Sequence, residues 1–95
     1  MNEVLIMAHY ILIGESKFSN EPDIEFNSKV DLDIIDARAK AVNILSSSKY
    51  KDRFWAVSIF KNDRYIGVVD RTDKSYRYTS KGKSVRLYKD GTVRV

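Results

Sequence analysis

Residues 54–60 read FWAVSIF and residues 61–71 read KNDRYIGVVDR. The first run is apolar on both of its alternating sets, the pattern of a strand covered on two sides, with Trp55, Val57 and Ile59 forming the richer face. Asn62-Asp63 supplies a two-residue turn, because both residue types tolerate the left-handed backbone such hairpins need. Residues 64–71 therefore read as the returning antiparallel strand. A sheet seeded here places the rest of the chain around it.

Downstream the period of two continues. Ser75–Ser80 alternates Tyr76 and Tyr78 with Arg77 and Thr79, Lys81-Gly82-Lys83 is a turn, and Val85–Tyr88 is a short strand. Asp90-Gly91 is a hairpin turn into a closing strand, Thr92–Val95. Upstream, the apolar run Val4–Ile13 ends at Gly14 and reads as a first strand, and the polar stretch 15–29, which holds the only proline, reads as a loop. Within that loop Ile24 and Phe26 alternate with charged and polar neighbours, enough for a short edge strand. Asp31–Ser46 reads as the one helix, with Asp31 or Ser28 as its cap. Ile34, Ala37, Ala41, Ile44 and Leu45 fall on one face, flanked by Ile35 and Val42. Arg38 lies toward that apolar face, either snorkelling past the sheet edge or pairing with a carboxylate.

The expected fold is α+β: one domain over residues 1–95, in the order β-α-β-β-β with a terminal hairpin, one helix packed on a mostly antiparallel sheet. Val4–Ile13 is too short to span a bilayer and follows Glu3 rather than a basic cluster, so a cytoplasmic location is expected.

Charge is split along the chain. Residues 1–48 hold four basic and eight acidic side chains, and residues 49–95 hold thirteen basic and five acidic, together with five of the six tyrosines and the single tryptophan. Cations interleaved with aromatic rings suit an anionic partner. The alternation in the last strands sends Val85, Leu87, Val93 and Val95 toward the helix and Arg86, Tyr88, Thr92 and Arg94 outward. The expected partner-binding set is Lys74, Arg77, Lys81, Lys83, Arg86, Tyr88, Lys89 and Arg94, converging into one cationic plate. Guanidinium forks grip phosphate or carboxylate, a phenol ring stacks, and turn lysines add salt-dependent attraction. Tyr65, Tyr76 and Tyr78 read as half-buried sheet residues.

No chemistry-bearing constellation accompanies this set. There is no cysteine, and His9 is the only histidine, inside an apolar run. The four glycines are isolated, so no phosphate-cradling loop forms. No catalytic residue, metal site or cofactor is expected. The expected function is a non-catalytic module engaging an anionic macromolecule, either nucleic acid or an acidic protein surface. The alternative is an accessory protein of a phage or mobile element that blocks a host defence system by protein contact, in the manner of anti-CRISPR proteins. The first and the last strands are both candidate edges for a homodimer.

Overall fold

A computed structural model describes residues 9–27 and 33–95. One helix packs on a six-stranded sheet in which every neighbouring pair is antiparallel. The elements are β1 (Tyr10–Ser16), β2 (Ile24–Asn27), α1 (Ile34–Ser46), β3 (Phe54–Lys61), β4 (Arg64–Arg71), β5 (Tyr76–Ser80) and β6 (Lys83–Leu87). Their order across the sheet is β2-β1-β3-β4-β5-β6. The α+β architecture expected from the sequence is present, and the short edge strand inside the 15–29 stretch exists as β2.

The residues of β3 explain why it sits inside the sheet. Phe54 and Ala56–Ile59 are all buried, so both of its faces are covered. Trp55, expected on its rich inward face, is instead 52% exposed. The cause is a bulge. Ser16 opposes Phe54 while Glu15 opposes Ala56, which leaves Trp55 as the extra residue and turns Phe54 toward the helix. There the Phe54 ring stacks on Tyr50 at 5.1 Å between centroids, and Phe26 meets Tyr50 edge-on at 5.4 Å. A second bulge separates Ile59 from Phe60, where β4 contributes Ile66 as the extra residue. Its carbonyl is claimed by two hydroxyls, from Tyr78 at 3.2 Å and Ser80 at 2.7 Å.

The first turn of α1 is capped by Asp33, whose carboxylate accepts from the Asp36 amide at 2.9 Å. Asp31 and Ser28, the expected caps, lie outside the described residues. Ala37, Ala41, Val42, Ile44 and Leu45 are buried against the sheet, and Ile34 packs at the core's margin. The last turn of α1 has no cation of its own. Arg71 reaches across from β4 to donate to the Leu45 carbonyl at 2.7 Å and to the Lys51 carbonyl, placing a positive charge at the negative end of the helix dipole.

Four expectations are corrected by the structure. β1 spans Tyr10–Ser16 rather than ending at Ile13, the remainder of the expected strand at residues 4–8 lying outside the described residues. It also lies between β2 and β3, so it is not an edge; the edges are β2 and β6. Residues 92–95 are not a strand but a single bridge, Leu87 with Val93, flanked by Tyr88 N–H to Thr92 C=O and Arg94 N–H to Arg86 C=O, each 2.8 Å. Val85 and Val93 are 37% and 39% exposed, and Val95 is fully exposed, because α1 lies over β1, β3 and β4 and does not reach β6. Only Leu87 of that set is buried.

The 88–92 hairpin bends back to the helix instead. Gly91 lies in the left-handed region, φ 86°, and a side chain on it would meet the Ile35 carbonyl and the Ala39 amide of α1. Arg38 fastens this contact: its Nε donates to the Gly91 carbonyl at 2.9 Å while its guanidinium covers the Tyr78 ring at 5.4 Å. Neither expected role for Arg38 is the one observed. Arg38→Ala removes a charge-assisted hydrogen bond and a ring contact, and is expected to cost about 2 kcal/mol. Urea unfolding checks this as a lower midpoint at unchanged slope. Arg38→Lys should recover little, since an ammonium cannot lie flat on the ring and reach the carbonyl together.

Candidate anion-binding site

On the sheet face away from α1, a single transverse row runs Glu15, Ala56, Asp70, Arg77, Arg86, each residue opposed to the next across neighbouring strands. The bridge beyond β6 sets Arg94 beside Arg86. The row therefore grades from carboxylate to guanidinium. Glu15 accepts from the Ser58 hydroxyl. Asp70 and Arg77 form a two-pronged pair, Nε to Oδ1 at 3.1 Å and Nη2 to Oδ2 at 2.7 Å. Donating those bonds to Asp70, and lying beside its charge, raises the Arg77 guanidinium above its ordinary pKa. Arg86 and Arg94, past the end of this compensation, carry no ion pair among the described residues.

Like charges directly opposed across an antiparallel pair are unfavourable, and Arg77 faces Arg86. The Arg94 guanidinium sits 5.3 Å above the exposed Tyr88 ring. Lys74 joins from the 72–75 turn, which is closed by Thr72 N–H to Ser75 C=O at 2.8 Å and by the two side-chain hydroxyls at 3.1 Å. Thr72, Asp73, Lys74, Ser75, Arg86 and Arg94 line one cleft of about 390 Å³. Its donors are two guanidinium groups, an ammonium and the one hydroxyl proton that the bond between Thr72 and Ser75 leaves free; its one carboxylate among the described residues is Asp73.

The eight expected residues do not form one plate. Lys74, Arg86 and Arg94 converge, with Tyr88 and the Asp70-bound Arg77 beside them. Lys81 and Lys83 lie toward the other end of β5 and β6, roughly 10–14 Å from Arg77 and Arg86 at the rise of a strand. Lys83 also shares the parity of Leu87, not of Arg86, and so belongs to the helix side. Lys89 stands exposed in the terminal hairpin. Several other cations of the basic half are structural: Arg71 caps α1, and Arg53 lies 3.4 Å from Glu21.

A second basic cluster lies outside the expected set. Lys61 and Arg64 oppose each other across the Asn62-Asp63 hairpin, and with Lys81 they rim a cleft of about 940 Å³ on the helix side. Tyr10, Ile34, Ile66 and Tyr78 line its depth. The signal was present in the two-residue turn, which forces the residues flanking it onto one face. Among the described residues no three His, Asp or Glu side chains gather as a metal cage, and no helix is long and apolar enough to cross a membrane. Comparison with family models, with curated proteins and with solved structures finds no match.

Proposed function

We propose that this chain is a non-catalytic cytoplasmic module that binds the phosphate backbone of a nucleic acid through Arg86, Arg94 and Lys74. The observation that supports the reading is the unbalanced end of the transverse row. Arginines set side by side with no carboxylate between them cost stability unless an anion is shared by them. Their planar forks, with the Thr72 and Ser75 hydroxyls close by, match an oxyanion that accepts from several directions. Tyr88 adds a ring at the margin, held in place by Arg94.

Fluorescence anisotropy with a labelled single-stranded oligonucleotide tests this. Three phosphate contacts predict a log–log slope of affinity against salt near −2, at about −0.7 per contact for single strands. Binding insensitive to salt, or equal binding to polyglutamate, overturns it. Equal binding to polyglutamate would point to an acidic protein surface instead.

The half-exposed Trp55 and Phe18 favour a second reading, an accessory protein that inhibits a defence system by protein contact. The hydrogen bond from Lys17 N–H to the Arg53 carbonyl, 2.9 Å, brings their two segments to the same end of the sheet. Tryptophan is the residue type most enriched at interface hot spots. A pull-down whose partner survives nuclease, and is lost with Trp55→Ala, would favour this reading over the first.

A further inference from the structure

The helix-side cleft has a composition unlike the arginine pair and shares no residue with it. The hairpin turns at 62–63 and 81–82 emerge at the same end of the sheet, because β3 and β5 run in the same direction. Lys61, Arg64 and Lys81 stand on these turns, and among the described residues no carboxylate lines the space between them. Lys81 is held there by a left-handed backbone, φ 53°. Asn62 Oδ1 is occupied by the His9 amide at 2.9 Å, which leaves the Asn62 amide group as a donor. Ser80 spends its proton on the Ile66 carbonyl. Ser80 can then only accept, whereas the three cations and the Asn62 amide group are all donors. The interior is aromatic and aliphatic: Tyr10 and Tyr78 are buried, Ile34 and Ile66 half-buried, and Tyr65 is 54% exposed at the mouth. Among the described residues the acidic groups beside it are Asp33, which accepts from the Asp36 amide although its charge is felt at Tyr10, and Asp63 at the hairpin tip.

We infer that this cleft binds a nucleoside phosphate. A flat, largely apolar ring system suits a depth lined by tyrosine and isoleucine, and a phosphate satisfies a rim of three cations and an amide donor. The volume, about 940 Å³, is at the upper end for small-molecule sites and exceeds what a lone oxyanion fills. The same chemistry is presented by a free mononucleotide and by the phosphorylated end of a strand.

Calorimetry and proton NMR with adenosine 5′-monophosphate test the inference. Saturable binding is expected, with shifts in the ring resonances of Tyr10, Tyr65 and Tyr78, and adenosine should bind at least about tenfold more weakly because it lacks the charge-assisted contacts. The triple variant Lys61→Gln, Arg64→Gln, Lys81→Gln should lose at least about tenfold in affinity at an unchanged melting temperature, since all three side chains are exposed. Variants at Arg86 and Arg94 should leave this affinity intact, which separates failure of this site from failure of the backbone-binding surface. A 5′-phosphorylated dinucleotide that competes with the mononucleotide identifies a strand end as the source; one that does not compete identifies the free nucleotide. Equal binding of adenosine and its monophosphate, absence of saturation by about 10 mM, which is weaker than any specific site, or loss of affinity in the Arg86 and Arg94 variants would overturn it.

Discussion

Arg86→Glu together with Arg94→Glu is expected to reduce nucleic-acid affinity by about 100-fold or more, because two attractive contacts become two repulsive ones at the same positions. The fold should survive. Both side chains are exposed on the sheet face away from α1, and neither forms an ion pair among the described residues. Stability should stay within about 1 kcal/mol of the native protein, since the attraction that a carboxylate at position 86 gains toward Arg77 is offset by the lost contact of Arg94 with the Tyr88 ring. Loss of binding with the fold and its stability retained is the discriminating result. A surface that carries arginines only to protect an edge from aggregation predicts no loss of binding. Anisotropy titration paired with thermal melting reads both quantities, and unchanged affinity in the double variant removes the proposed function. Arg94→Glu should also release the Tyr88 ring, visible in the tyrosine resonances.

Gly91→Ala should be the most damaging single methyl group in the terminal hairpin. Two penalties coincide there. An alanine in the left-handed region costs about 1–2 kcal/mol, and its Cβ would collide with the Ile35 carbonyl of α1, a backbone atom that cannot rotate away. A loss of about 3 kcal/mol or more is expected, which lowers the melting temperature of a domain this size by at least about 12 °C. Gly82→Ala is the internal control. Its φ is 79°, yet nothing lies within 4 Å of the added carbon, so only the backbone penalty of about 1–2 kcal/mol applies. Equal effects at the two positions would mean that the terminal hairpin is not docked on the helix. Because Arg38 holds the same contact, Gly91→Ala and Arg38→Ala should be less than additive, as for neighbours that share one interface.

The strands were legible where hydrophobic alternation and turn residues agreed. Residues 54–80 carry both signals, and β3, β4 and β5 appear where that pattern places them. The helix was legible from its face of Ala37, Ala41, Ile44 and Leu45, all buried. The misreadings cluster where alternation is interrupted. A bulge adds one residue and reverses the faces on one side of it, and no local feature of FWAVSIF announces that Ser16 rather than Lys17 will stand opposite Phe54. At the C-terminus, parity set Arg86 and Arg94 side by side, but it could not tell how far α1 extends across the sheet, so the valines expected to be covered stay exposed. The candidate site was half legible for the same reason. Composition marks the second half as basic, whereas the pairing of Arg77 with Asp70 and the use of Arg71 at a helix end depend on which strands become neighbours.

What the amino-acid order determined by itself is the set of elements, their alternating faces and the surplus of cations in residues 49–95, all consequences of backbone periodicity and side-chain chemistry that act within a few residues. Tertiary structure alone decided which of those cations are neutralised, which stand together, and that they divide between two clefts on opposite faces. Charge interactions act through space and fall off within about 10 Å at moderate salt, so strand order and register, not position along the chain, select the partners.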